Sequence, residues 1–201
     1  MHLLRQPLLR HNWRLIVVIG KTVMPMNDLQ LKNLFAPIHT FGEWSVWSLR
    51  RDEILKTTQP KQQPILNGMY LLDGTRVRCY LGETAHACRR LRSHPHDWEN
   101  AICLTLNNRS LSEDNRKHIE FAVGLLFLLT GTPVRNSRLD YPKPDSESAR
   151  LAQLFLEDVF VPLLAIYGKE LGLPRRGLST ALKHAHRLLG ILAENGNKGG
   201  M

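Results

Sequence analysis

The chain has 201 residues, of which 43% are hydrophobic and 22% charged, an ordinary globular composition that excludes wholesale disorder, collagen-like repeats and a disulfide-dense mini-protein. Its 27 Lys and Arg against 18 Asp and Glu leave a net charge of +9, a field that attracts polyanions and makes nucleic acid the first partner class to consider. Three cysteines, Cys79, Cys88 and Cys103, contain no CxxC pair and lie among apolar neighbours, so they read as small hydrophobes in a reducing cytoplasm rather than as a disulfide or zinc framework.

Residues 1–26 hold Arg5, Arg10, Arg14 and Lys21 and no acid. Their longest apolar run, 15–19, is too short for a membrane span or a signal-peptide core. The segment reads as a basic leader or as sequence upstream of a start at Met24 or Met26, and no other stretch resembles a transmembrane helix. Residues 27–65 form an N-terminal extension, with a helix expected over 28–35, strand-like alternation over 44–49 and a polar stretch over 56–64 that carries Pro60 and Pro64.

Residues 66–142 read as a compact α/β unit. A strand over 66–73 ends in the hairpin signal Asp73-Gly74, and a returning strand follows over 76–82. A helix over 84–94, a third strand over 101–106 and a long apolar helix over 113–130 complete it. Ser112 can cap that last helix, Glu113 and Asp114 suit its positive end, and Gly131 can terminate it. A linker begins at Lys143-Pro144-Asp145. A helical stretch over 148–172 is interrupted by Pro162, and a final helix spans 178–194 before a tail, 195–201, that its Gly, Asn and Lys content marks as disordered. Pro162 and Pro174 fit a helix-turn-helix poorly. Leu151, Leu154, Phe155 and Val159 recur at helical intervals, as expected of core or of a dimer seam.

The α/β unit carries Gly68-Met69-Tyr70 on its first strand and Tyr80-Leu81-Gly82 on its second. Arg90 follows eight residues after Gly82, His94 four beyond it, then Glu120 on a helix and Asn136 sixteen residues later. In this order of residues the chain resembles the GIY-YIG endonuclease family, with Met69 and Leu81 standing where the triplets have Ile. The resemblance implies a small mixed sheet of three or more strands flanked by helices, and a nuclease that depends on Mg²⁺ or Mn²⁺. It also implies site roles for Tyr70, Tyr80, Arg90, His94, Glu120 and Asn136. Glu120 would anchor the metal, and a tyrosine rather than His94 would help activate water.

The side chains have chemistry of their own. His86, Arg90 and His94 are spaced to line one helical face, and a guanidinium offers a two-pronged donor to phosphate; a solvated arginine is the plain alternative. Glu120 enters an apolar helix, where a carboxylate is costly unless it is paired or binds a cation; Arg90 and Arg116 are its candidate ion-pair partners. Tyr70 and Tyr80, on strands joined by a hairpin, can bring their hydroxyls together, though a free phenol titrates near 10 and stays protonated at neutral pH. His94 can relay a proton or simply sit at a helix C-terminus, and Asn136 can support the site or serve a turn. Arg76, Arg78, Arg89, Arg92 and His86 are candidate contacts to a nucleic-acid backbone. Trp98 can stack on a base or pack in the core, while His94-x-His96 and His184-x-His186 lack further ligands at metal-site spacing.

The expected function is metal-dependent hydrolysis of phosphodiesters, DNA ahead of RNA. Its rivals are a nucleic-acid-binding module that keeps the fold without cutting and a partner-docking domain that works through the C-terminal helices. No membrane association is expected.

Overall fold

The computed structural model describes residues 37–56, 66–73, 80–95, 97–107, 110–132, 134, 139–167 and 177–198. Its strands are β1 (Pro37–Phe41), β2 (Trp44–Arg50), β3 (Gly68–Asp73), β4 (Tyr80–Thr84) and β5 (Asn100–Leu106). The helices are α1 (Arg51–Lys56), α2 (Ala87–Arg92), α3 (Glu113–Leu129), α4 (Ser146–Phe155), α5 (Val161–Tyr167) and α6 (Leu178–Lys198), with a π turn at Leu156–Phe160 between α4 and α5. The helix expected at 28–35 and the turn beyond Asp73 lie outside the described residues.

The strands form one sheet in the order β1-β2-β5-β3-β4. Every neighbouring pair is antiparallel, so the expected mixed sheet is corrected to an antiparallel one of five strands. A parallel neighbour would need a long crossover. Here β1 turns into β2 through two residues, Gly42 and Glu43, with Gly42 at a left-handed φ of 56°. β2 runs beside β5 for its whole length, from Trp44 opposite Leu106 to Arg50 opposite Asn100. Residues 37–50 of the N-terminal extension are therefore built into the same sheet as the α/β unit.

Alternation along the strands divides the core in two. Trp44, Val46, Met69, Leu71, Leu81, Ile102 and Leu104 face α3, α4, α5 and α6, whose Ile119, Phe127, Phe155, Phe160 and Leu189 fill that layer. Leu49, Tyr70, Leu72, Ala101 and Cys103 face the other way, under α1 and α2, which contribute Ile54, Ala87, Cys88 and Leu91. Of the helical seam residues, Phe155 and Val159 are buried and Leu154 is exposed.

Helix ends follow local chemistry. The Ser112 hydroxyl accepts from the Asn115 N–H at 3.1 Å at the start of α3, and Gly131 leaves it at a φ of 68°. α2 is shorter than the expected 84–94, because Thr84 still belongs to β4 and its hydroxyl accepts from the His86 N–H at 3.1 Å. Pro162, second residue of α5, has no N–H to give the preceding turn, and the π turn immediately precedes it. α6 continues to Lys198, correcting the expected end at 194; Asn195 and Gly196 each cost a helix roughly 1 kcal/mol or less, too little to stop it. Among the described residues no helix is long and apolar enough to cross a membrane.

Candidate active site at the β4 edge

Tyr70 lies opposite Gly82 in the β3–β4 ladder. A Cβ built on Gly82 would come 2.4 Å from both Cζ and the hydroxyl of Tyr70, so the phenol lies across a glycine that leaves it room. Tyr80, on the same sheet face, stacks near it with ring centroids 6.3 Å apart. His94 is buried edge-on against both rings, 4.8 Å from Tyr80 and 6.0 Å from Tyr70. Arg90 is exposed, and its Nε donates a long hydrogen bond of 3.5 Å to the Tyr70 hydroxyl.

These four residues come together, though not along one helical face. His86 is the extended N-cap residue of α2 and His94 lies past its C-cap, Ser93, so of the three residues expected on a common face only Arg90 is within the helix. His94 reaches the tyrosines because the chain turns back beneath them after Ser93.

Burial pushes the Tyr70 phenol up to about 12, outweighing the hydrogen bond from Arg90, which pulls it down; the Glu120 charge adds a smaller push upward. Tyr70 is thus a neutral hydrogen-bond donor at physiological pH. The same hydrogen bond raises the pKa of Arg90 and keeps it cationic.

Glu120 projects from α3 within electrostatic reach of Tyr70. Burial raises its pKa to about 7, the charges of Glu83 and Asp140 add to the rise, and Lys117 opposes it. Neither ion-pair partner expected from the sequence serves it. Arg116 gives Nε to Glu83 at 2.6 Å and Nη1 to the Leu111 carbonyl at 2.7 Å, and among the described residues no cation makes a salt bridge to Glu120. Glu83 and Asp140 are the neighbours of Glu120 that sequence reasoning missed: no local pattern links them to it, and Glu83 comes near because α3 packs beside β4.

Of the candidate backbone contacts, His86, Arg89 and Arg92 are exposed on or beside α2, whose first turn has no acid. Arg92 is partly engaged, since its Nη2 donates to the Ile54 carbonyl at 2.8 Å and ties α2 to α1. Arg76, Arg78, His96, Cys79 and Asn136 lie outside the described residues. Cys88 and Cys103 are free and buried, and burial pushes both thiols up, Cys88 to about 11, which makes them poor nucleophiles. Trp98 is a packed residue, 2% exposed, with its indole N–H given to the Leu91 carbonyl. His186 lies 3.3 Å from Glu157 while His184 is exposed, so the two do not share a site.

No protein-family model matches the chain, and no curated protein or solved structure matches it either.

Proposed function

We propose that the chain is a divalent-metal-dependent endonuclease of the GIY-YIG kind, acting on nucleic acid, DNA ahead of RNA. The observation that carries this reading is the meeting of Tyr70, Tyr80, Arg90 and His94 around Gly82, with the raised carboxyl of Glu120 in reach across the sheet edge. The strands β4-β3-β5 with α2 and α3 are the part read as the family's unit, to which β1 and β2 add an antiparallel flank.

The donor set suits a hard cation. A half-buried carboxylate that feels two further carboxylates gains from positive charge, and magnesium takes one or two carboxylates while keeping several waters. Among the described residues no group of three or more His, Cys, Asp or Glu is arranged to hold a metal, so Glu120 would hold the ion with water completing the shell. A bound Mg²⁺ or Mn²⁺ would polarise phosphoryl and leaving-group oxygens. Arg90, exposed and cationic, would face the phosphate and stabilise its developing charge. Tyr70, neutral, would orient the attacking water through its hydroxyl, and His94 would relay a proton or hold a phosphate oxygen.

The test is cleavage of supercoiled plasmid, branched DNA, single strands and RNA with Mg²⁺, Mn²⁺ or chelator. Metal-dependent cutting that Glu120→Gln abolishes while salt-sensitive binding persists is the expected outcome; cutting retained in that variant removes the metal assignment. The high pKa of Tyr70 favours one second reading, a binding module that does not cut, which would show salt-sensitive binding and no cleavage on any substrate.

A further inference from the structure

We infer that Trp47 is a stacking platform for an unpaired base of the substrate strand; this rests on the nucleic-acid reading above. Trp47 pairs with Cys103, Cys103 with Tyr70, and Tyr70 with Gly82. The four therefore form one row across β2, β5, β3 and β4, on the sheet face that carries the candidate site. Strand spacing puts the Trp47 and Tyr70 backbones about 10 Å apart, with the small Cys103 between them.

The indole is only partly covered: Trp47 packs against the edge of the cluster to which α1 and α2 contribute, and its Nε1 donates at 2.8 Å to the Thr105 hydroxyl on β5. The row it leans over holds Ser45, Thr105, Gly68 and Thr84, all small, and the Ser45 hydroxyl is given to Asn107 at 2.6 Å. Trp47 remains half-buried while Trp44 and Trp98 are buried in the two cores. With its N–H satisfied and its orientation fixed, what the ring offers a ligand is its π-face.

The charge around the site selects the occupant. The exposed residues of α2 beside Tyr70 are Arg89, Arg90 and Arg92, with His86 at its N-cap, which fits a partner that pairs a flat aromatic group with a negative backbone. A base inside a duplex cannot present its face to Trp47. The platform therefore calls for a single-stranded, frayed or flipped nucleotide next to the phosphate at Arg90.

The experiment is titration of the full chain with a short oligothymidylate in chelator, following intrinsic fluorescence and affinity in wild type, Trp47→Phe and Trp47→Leu. Wild type should be quenched on binding, Trp47→Phe should bind nearly as well with the quench lost, and Trp47→Leu should bind about 5- to 150-fold more weakly, the range set by one stacked base. Quenching that survives in Trp47→Phe, or equal affinity in Trp47→Leu, overturns the role of Trp47 and leaves the nuclease reading standing. Wild type without salt-sensitive affinity for the oligonucleotide overturns the nucleic-acid reading itself.

Discussion

Replacing Gly82 with alanine should destabilise the protein through Tyr70, against the usual sign for such a change. A glycine within a strand carries an entropic penalty of roughly 0.5–1 kcal/mol relative to alanine, so Gly→Ala in a strand ordinarily helps. Here the new methyl would lie 2.4 Å from Tyr70 Cζ and its hydroxyl and 2.8 Å from Cε1, where comfortable carbon contacts need about 3.5–4 Å. The ring has to move by about 1 Å or more, yet Tyr70 is 1% exposed and is held between Tyr80 and His94. Overpacking of this kind costs about 1–3 kcal/mol. Urea melts of Gly82→Ala, Tyr70→Leu and the double variant would measure the coupling, because leucine removes the ring that the methyl strikes. A coupling of about 1–3 kcal/mol is expected. Strictly additive effects, or a stabilised Gly82→Ala, would refute the idea that this glycine exists to seat the phenol.

Three further outcomes follow from the electrostatics. The raised pKa of Glu120, about 7 against 4.5, means that the native state keeps a proton the unfolded chain gives up. In chelator, the Glu120 contribution should be fully present below pH 4.5 and be lost, by up to about 3 kcal/mol, as pH climbs through 7, less to the extent that residual solvent screens the charge. Glu120→Gln should lack that fall, and parallel stability–pH curves for the two proteins would rule it out. Arg116→Met strands Glu83, whose side chain is 23% exposed, and should cost about 2–4 kcal/mol in urea melts, much of it recovered in a double variant with Glu83→Gln; no recovery would mean that the pair is not the cause. Tyr70→Phe should lower the cleavage rate without moving the pH–rate profile, since the phenol does not ionise below about 12; a displaced profile would make the phenolate a participant.

Much of the sheet was legible because period-2 alternation and turn residues are local signals. Trp44–Arg50 alternates cleanly and is a strand, and the capped, glycine-terminated α3 needed only its own residues. Partnership was not legible. Nothing near Trp44 announces Leu106, its register partner 62 residues on, so a strand that widens the sheet read as part of an extension. The ends of α2 were misjudged for a competing reason: the helical pattern runs through Thr84, but pairing with Gly68 and the bond its hydroxyl accepts from the His86 N–H keep it in the ladder. The family resemblance, together with the chemistry of the side chains, singled out Tyr70, Tyr80, Arg90 and Glu120. The sequence reading drew attention to Trp98 and passed over Trp47, because how far an indole is covered depends on tertiary packing: Trp98 gives its N–H to the Leu91 carbonyl inside the core, whereas Trp47 is only partly buried.

The missed neighbours bear on the chemistry as strongly as the anticipated residues. Arg116 is aimed at Glu83, with a second bond to Leu111 that fixes its position, so one of the two carboxylates near Glu120 is already paired with a cation. Burial, the Glu83 charge and the Asp140 charge push against the ionisation of Glu120, and Lys117 helps it. An additional cation at that point relieves several unfavourable terms at once, whereas an extra proton relieves them only below about pH 7. Tyr70 meets the opposite condition: a guanidinium is already at its hydroxyl, and burial still keeps the phenol neutral. Beside β4 there are thus a cation, a neutral donor and a carboxylate whose charge the phenol feels. On the nuclease reading proposed above, Arg90 would stabilise charge, Tyr70 would orient water and Glu120 would hold an ion, and a neutral phenol would leave activation of the water to that ion.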